Sequence, residues 1–239
     1  MIIEGFFTAA VIFLASLLQG VFGFAFMLVA LPLLSFSLTM KTAVPLLSLF
    51  LALLSGILTF QLRRHFDYRG ILPLLAGAVA GIPAGLLFLI GFSDKAIKTA
   101  LGIVLIVYAA YSLLFKRMPL RLPAWTGYLF GFFAGTLGGA FNITGPPVVF
   151  YLSTREWSKI NIVGSLNLFF CITSILVVAF HFAIGNITRE IETAFLEFIP
   201  VMATGMLAGT YIFKRMNEDT YRKGLFILLF IMGIVLSFK

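Results

Sequence analysis

The sequence predicts an all-α integral membrane protein made of two tandem repeats of four hydrophobic segments each. Of its 239 residues, 61% are hydrophobic and 11% are charged, and the mean hydropathy is +1.10. A soluble domain carries about a quarter charged residues, so this chain could not cover a water-exposed surface. Apolar runs of about 20 residues recur along it, and that length crosses a bilayer as a helix. Two stretches that contain glycine and proline also match each other in the two halves of the chain.

The charge and the cysteine content exclude several other classes of protein. The net charge is +8, but the basic residues fall in short connections between apolar segments, where the positive-inside rule collects them. We therefore expect the lipid bilayer to be a partner and nucleic acid not to be one. Cys171 is the only cysteine, so the chain has no cysteine cluster for a metal. We expect no metal and no cofactor.

Charged connections divide the chain into eight apolar segments. These are 6–40, 42–61, 71–92, 97–115, 125–153, 160–185, 194–213 and 224–238. Six of them are 15 to 26 residues long and suit single tilted helices. The first and fifth have 35 and 29 residues. As continuous helices these two would be roughly 52 and 44 Å long, whereas the hydrocarbon core is about 30 Å thick. We therefore expect each of them to be a broken or re-entrant helix.

The two long segments contain matching interruptions. Gly20–Leu34 aligns with Gly135–Val149 without a gap, and Gly23 then pairs with Gly138. A second match joins 81–114 to 205–238, and both stretches contain a Gly-x-x-x-Gly pattern. Because the two matches occur in the same order, we predict a first repeat at 1–118 and a second at 119–239.

The loop charges favour one membrane topology. If all eight segments span, the two faces carry eight and nine Lys and Arg residues, which is no bias. If the first and fifth segments instead enter and return on one side, the faces carry twelve and five, a normal positive-inside bias. Each repeat then has an odd number of crossings, so we predict that the repeats are inverted. This topology places the loop from Arg155 to Lys159 on the same side as the loop at Arg121.

The interruption of the second repeat is the predicted substrate site. Non-helical backbone at membrane depth is tolerated only where it is buried in protein or lines a cavity. Free N–H groups at the start of a half-helix attract anions, and a proline suits its first turn. The alternative is that the small residues serve only helix packing. The predicted substrate-binding residues here are Gly138, Gly139, Asn142, Thr144, Gly145, Pro146 and Pro147.

The interruption of the first repeat is more apolar. Met27 and Val29 stand in the alignment where the second repeat has Asn142 and Thr144. We therefore expect polar recognition to come mainly from the second repeat. The polar side chains of the sixth segment either bond to neighbouring helices or contact the ligand. The supporting residues are predicted to be Gln19, Gly20, Gly23, Asn161 and Asn167.

Charged side chains are missing from the middle of every predicted span. Their absence disfavours carboxylate-based ion coupling and an intramembrane enzyme, which needs an acid, a base or a nucleophile together. We expect no enzymatic activity. An anion that leaves a cell gains about 2.3 kcal/mol per charge per 100 mV, so its export needs no coupled ion. The leading hypothesis is a permease for a small anion that alternates access around the two interruptions, and an anion channel of the same fold is the alternative.

The repeated glycine-rich interruption followed by proline resembles the sulfite exporter TauE/SafE family of bacterial membrane permeases. The eight-segment layout and the Gly-x-x-x-Gly third and seventh segments belong to the same resemblance. Gly135 to Pro147 is the closest part, whereas the first repeat keeps only Gly20 and Gly23 of the glycine-rich run. The resemblance implies a multi-pass protein of the cell inner membrane that moves small sulfur-containing anions, such as sulfite or organosulfonates.

Overall fold

The protein is helical throughout the residues that the computed structural model describes, which are 5–114, 122–155, 157–217 and 220. Five of the helices, α1, α3, α4, α8 and α9, are long and apolar enough to cross a membrane, so the chain is a multi-pass helical membrane protein. The predicted eighth segment, and with it the end of the second sequence match, lies outside the described residues. The helices are α1 (Gly5–Phe22), α2 (Phe26–Leu34), α3 (Met40–Gln61), α4 (Tyr68–Gly91), α5 (Asp94–Leu114), α6 (Thr126–Phe141), α7 (Gly145–Ser153), α8 (Lys159–Ala183) and α9 (Arg189–Arg215).

Side-chain caps define where three of the long helices begin. Asp67 accepts hydrogen bonds from the first backbone N–H groups of α4, Ser158 does the same at α8, and Thr188 does so at α9. Such caps satisfy N–H groups that have no partner inside the helix. These helices are apolar around much of their circumference, which suits segments in contact with both lipid and protein.

The first and fifth segments are each divided into two helices, as their lengths predict. The residue that ends the first helix of each pair has a left-handed backbone: φ is +83° at Gly23 and +51° at Asn142. Each closes the preceding turn, because the Gly23 N–H donates to the Gln19 carbonyl and the Asn142 N–H to the Gly138 carbonyl, both at 2.7 Å. The sequence therefore interrupts both helices with a common type of helix end.

The short helix α7 runs back along α6. The Tyr151 hydroxyl, near the end of α7, donates to the Ala124 carbonyl just before α6 at 3.4 Å. The Tyr151 hydroxyl also lies 3.0 Å from the position that a Cβ on Gly127 would occupy. The fifth segment therefore enters and returns at one end of the protein. In the same way, α2 packs against α1.

Helices of the two halves pack in a crossed arrangement. The most extensive contacts join α4 to α6 and α1 to α9, and α3 packs against α8. Glycines allow the backbones of α4 and α6, and of α1 and α9, to approach closely, as small residues do in membrane helices. Between α1 and α9 the close contacts are Phe13 with Gly205, Leu17 with Gly209 and Gly20 with Met206. The matching contacts between α6 and α4 are Tyr128 with Gly77, Phe132 with Gly81 and Gly135 with Ala78.

One end of the protein joins the starts of α3 and α5. The Asp94 carboxylate accepts the Met40 N–H at 2.6 Å and pairs with the Lys98 ammonium at 3.0 Å. Lys41 donates to the Ile90 carbonyl, at the end of α4, at 3.1 Å. Burial raises the pKa of Asp94, but the Met40 hydrogen bond and Lys98 outweigh it, so this pKa lies below its ordinary value.

The opposite end joins the α3–α4 connection to the α7–α8 connection. The ring of Trp157 lies against Gly70, and Gly164 lies against the carbonyl of His65. Helix α8 therefore begins at the end where α4 begins, whereas α3 begins at the other end. This basic end carries the exposed residues Arg63, Arg64 and Arg69, together with the partly buried Arg155.

Candidate functional site

A small cavity lies between the two helix interruptions. It has room for about one water molecule. One wall comes from the first interruption, one from the second, and the rest from α3 and α8. The lining residues are Phe24, Met27, Leu28, Leu51, Asn142, Ile143, Thr144, Gly145 and Phe170.

The second interruption supplies unpaired polar groups to this cavity. In the described part of the chain, the backbone N–H groups of Ile143 and Thr144 have no hydrogen-bond acceptor. The Thr144 side chain makes no cap bond to α7, although Thr144 occupies the N-cap position. Pro146 and Pro147 have no N–H, so they add no further unpaired donors. The start of α7 therefore combines a positive helix end with free donors beside a cavity.

Asn142 holds the second interruption against the neighbouring helices. Its side chain is 1% exposed. The Nδ2 atom donates to Ser48 Oγ of α3 at 2.9 Å, and Oδ1 accepts from Ser174 Oγ of α8 at 3.4 Å. In this conformation the amide is engaged with two helices rather than free for a ligand. Asn142 is one of the predicted substrate-binding residues, and its side-chain amide is bonded within the protein instead.

The first interruption is held by polar side chains, one of which accepts the N–H at the start of α2. Gln19 Oε1 accepts the Phe26 N–H, at the start of α2, at 3.0 Å. Gln19 Nε2 donates to the Gly23 carbonyl at 3.0 Å and to Asn167 Oδ1 at 3.3 Å. Asn167 Nδ2 in turn donates to the Gly23 carbonyl at 3.2 Å and to the Val163 carbonyl at 2.9 Å. The start of α2 thus already has an acceptor from within the chain.

The remaining predicted site residues are outside the cavity. Gly20 and Gly139 contact α9 and α4, where an added Cβ would collide with backbone. Gly138 does not line the cavity, although a Cβ there would be 2.7 Å from the Thr144 methyl. Asn161 lies in the first turn of α8 at the basic end, and its N–H is 3.4 Å from the Ser158 hydroxyl. Of the twelve predicted residues, the structure brings three to the cavity wall: Asn142, Thr144 and Gly145.

Two serines of the site were not predicted from the sequence. Ser48 and Ser174 are both fully buried and both bond to Asn142. Ser48 lies eight residues after the start of α3, as Asn167 does after the start of α8, but this correspondence depends on the helix bounds of the structure, because the predicted segments begin at 42 and 160. Ser48 and Asn167 each form a hydrogen bond with the interruption in the other half of the chain. Within the described residues, no three His, Cys, Asp or Glu side chains lie together as a metal site would require.

Two interrupted helices that meet at a central cavity define a class of helical membrane protein, the class in which transport sites lie at broken helices. The sulfite exporter TauE/SafE family model matches residues 8–236, and the chain therefore belongs to this family. A curated relative from Cupriavidus necator, named probable sulfite/organosulfonate exporter TauE, is 28% identical over 151 residues. That match covers 61% of this chain and 59% of the relative, less than two thirds of its length. No solved structure matches the chain significantly.

Proposed function

We propose that this chain is a permease of the cell inner membrane that carries a small sulfur oxyanion by alternating access around its two interruptions. The observation that supports it best is the cavity wall at Ile143 and Thr144, where unpaired N–H groups meet the start of α7. Oxyanions accept hydrogen bonds from such groups. The curated relative is named for sulfite and organosulfonate, so we propose the same substrate class here.

The size of the cavity supports a moving mechanism. A space for about one water molecule is too small for sulfite, which has three oxygens around a sulfur atom. The described conformation is therefore closed to the substrate. For binding, the two interruptions have to separate toward one side of the membrane, and for release toward the other. Asn142 and Asn167 link each interruption to a helix of the other half, so movements of the two interruptions would be coupled.

We further propose that residues 1–118 and 119–239 are inverted repeats. Helices α3 and α8 occupy corresponding places in the two halves and begin at opposite ends of the protein. The crossed packing of α1 with α9 and of α6 with α4 fits the same two-fold relation. The contact of Trp157 with Gly70 fits the topology that has twelve basic residues on one face. By the positive-inside rule we assign that face to the cytoplasm.

The test is flux in liposomes that contain the purified protein. We expect sulfite to leave the vesicles when a potassium gradient with valinomycin makes the lumen negative, because each charge gains about 2.3 kcal/mol per 100 mV. Thr144→Ala, Asn142→Ala and Gly138→Leu should strongly reduce this flux at low sulfite concentration while the protein remains in the membrane. Thr136→Ala is the matched control, since Thr136 is on α6 and its hydroxyl donates to the Phe132 carbonyl of the same helix at 3.0 Å.

Each result separates the alternatives. Flux at the wild-type level in Thr144→Ala would remove the second interruption as the binding site. A wild-type protein that moves neither sulfite, thiosulfate nor methanesulfonate would contradict the substrate class. Non-saturating currents through single proteins would indicate the channel rather than the permease.

A further inference from the structure

Arg155 is a partly buried cation without an acidic partner among the described residues. It follows α7 directly, at the basic end of the protein. Its Nη2 donates to the Tyr151 hydroxyl at 2.6 Å, and its guanidinium carbon lies 4.9 Å from the centroid of the Tyr151 ring. The Nε atom is buried and finds no acceptor in the described part of the chain. Within the same residues, Asp94 with Lys98 at the other end is the one ion pair found.

The position of the guanidinium is fixed by its surroundings. Tyr151 is fully buried, its hydroxyl also donates to the Ala124 carbonyl at 3.4 Å, and its ring lies 6.0 Å from that of Phe130. Arg155 therefore rests on an aromatic ring that α6 itself holds. A guanidinium held in this way has a fixed orientation, and guanidinium groups bind oxyanions through charge-assisted hydrogen bonds.

The electrostatic surroundings favour an anion at this place. Helices α4 and α8 begin at the same end, and their N-terminal ends are positive. The α3–α4 connection and the first turn of α4 carry three exposed arginines, whereas the Asp67 carboxylate already accepts the N–H groups of Arg69 and Gly70 at the start of α4. Among the described residues Arg155 has no acidic partner, and its neighbour Glu156 lies outside them. A partly buried cation without a counterion is costly. An anion would remove that cost.

We propose that Arg155 is a second anion-binding station, which receives the oxyanion substrate at the basic end before it reaches the cavity. The proposal rests on the proposed function and adds a site to it. Arg155 lies ten residues beyond Gly145, about 15 Å along the helix direction, so the two stations are separate. A lipid phosphate offers the same chemistry as sulfite, and the experiment has to distinguish these two sources.

The experiment compares Arg155→Gln, Arg155→Lys and the matched control Arg69→Gln, which removes an exposed charge from the same face. Sulfite flux is measured against sulfite concentration in vesicles of phosphatidylcholine alone and with phosphatidylglycerol. For Arg155→Gln we expect KM to rise about tenfold, the effect of one lost charge-assisted hydrogen bond, with little change in the maximal rate. Arg155→Lys should recover part of this loss. Arg69→Gln should change KM less than about twofold, an effect that vanishes at high salt.

Several results would overturn the station. One is a KM of Arg155→Gln that is unchanged or that changes only as much as the KM of Arg69→Gln. Another is a fall in the maximal rate of Arg155→Gln together with a lower unfolding temperature, which would indicate a structural role for Arg155. Stability that depends on phosphatidylglycerol only when Arg155 is present would assign the site to lipid phosphate. Thermal shift by sulfite, measured on the same variants, separates the two proposals. If the wild type binds sulfite through Arg155 but does not move it, the proposed function fails, and Arg155 is an anion-binding site without a role in transport. If the wild type moves sulfite but Arg155→Gln changes neither the thermal shift nor KM, only the station fails.

Discussion

Replacing Asn142 by glycine and by alanine would separate its backbone role from its side-chain role. Asn142 has a φ of +51° and ends α6, while its buried amide bonds to Ser48 at 2.9 Å and to Ser174 at 3.4 Å. Glycine keeps the left-handed backbone and removes both hydrogen bonds. Alanine removes both bonds and also strains the backbone.

The structure sets the expected cost. An ordinary intramolecular hydrogen bond contributes about 0.5–1.5 kcal/mol, and a buried group left without a partner costs about 1–3 kcal/mol. Ser48 keeps its bond to the Val44 carbonyl at 2.7 Å, whereas Ser174 loses the bond that connects it to Asn142. We expect the free energy of unfolding to fall by about 1–3 kcal/mol in Asn142→Gly. In Asn142→Ala we expect a further loss of about 1 kcal/mol.

The assays are unfolding of the purified protein in mixed micelles and sulfite flux in liposomes. Because the amide bonds to helices rather than to a ligand, Asn142→Gly should lower the maximal rate and leave KM nearly unchanged. Thr144→Val, which removes a hydroxyl from the cavity wall, should raise KM with little change in stability. If Asn142→Gly instead raised KM as much as Thr144→Val and left stability intact, the amide would be a ligand contact and our reasoning would be wrong.

Two further predictions concern the packing and the ends of the helices. Gly81→Leu should prevent the protein from accumulating in the membrane, because a side chain there meets the Phe132 carbonyl. Gly102→Leu is the control and should accumulate normally, because the space around Gly102 is open. Equal amounts of the two variants on a membrane blot would contradict the close packing of α4 on α6. The lowered pKa of Asp94 means that its carboxylate stabilises the protein fully above the ordinary value of 3.8, and that this stabilisation is lost as the pH falls through the lower folded-state pKa. Asp94→Asn should therefore be less stable at neutral pH and should lose less stability on acidification, which thermal unfolding across the acid range would measure.

The sequence could predict the existence of both interruptions but not their register. Segment length and bilayer thickness require a break, and glycine indicates roughly where it lies. The gapless alignment pairs Gly23 with Gly138, yet the left-handed residue of the second interruption is Asn142, one turn later. Asparagine is one of the few residues other than glycine that adopt this conformation readily. Gly138 and Gly139 therefore remain inside α6, and Gly139 packs on α4.

Tertiary packing also decides the register of the third and seventh segments. Gly205-x-x-x-Gly209 matches Gly81-x-x-x-Gly85, as the sequence alignment has it, but it matches Gly77-x-x-x-Gly81 as well. The contacts favour the second pairing, because Gly205 meets Phe13 and Gly77 meets Tyr128, and Phe13 and Tyr128 each lie seven residues before the aligned pair Gly20 and Gly135. A pattern that repeats every four residues cannot fix a register by itself. The register is determined by packing against the neighbouring helix, and the sequence does not identify which helix that is.

The two interruptions differ in the residue four positions before the left-handed residue, and exchanging that residue tests where the anion binds. At the first interruption Gln19, four residues before Gly23, places its Oε1 atom 3.0 Å from the Phe26 N–H at the start of α2. The residue four before Asn142 is Gly138, which has no side chain with which to do the same at α7. An acceptor within the chain therefore occupies the start of α2, and none does so from the corresponding position at α7.

Gly138→Gln would introduce the missing amide beside the start of α7. Its Cβ would displace the Thr144 methyl, now 2.7 Å away, so Gly138→Ala is the control for this steric effect alone. If the start of α7 binds the oxyanion, Gly138→Gln should abolish the sulfite-induced thermal shift, because its Oε1 atom would accept a hydrogen bond at the start of α7, as Gln19 Oε1 does from the Phe26 N–H at the start of α2. Gly138→Ala should reduce the shift only in part. Equal losses in the two variants would show that crowding at Thr144, rather than competition for the free N–H groups, accounts for the effect.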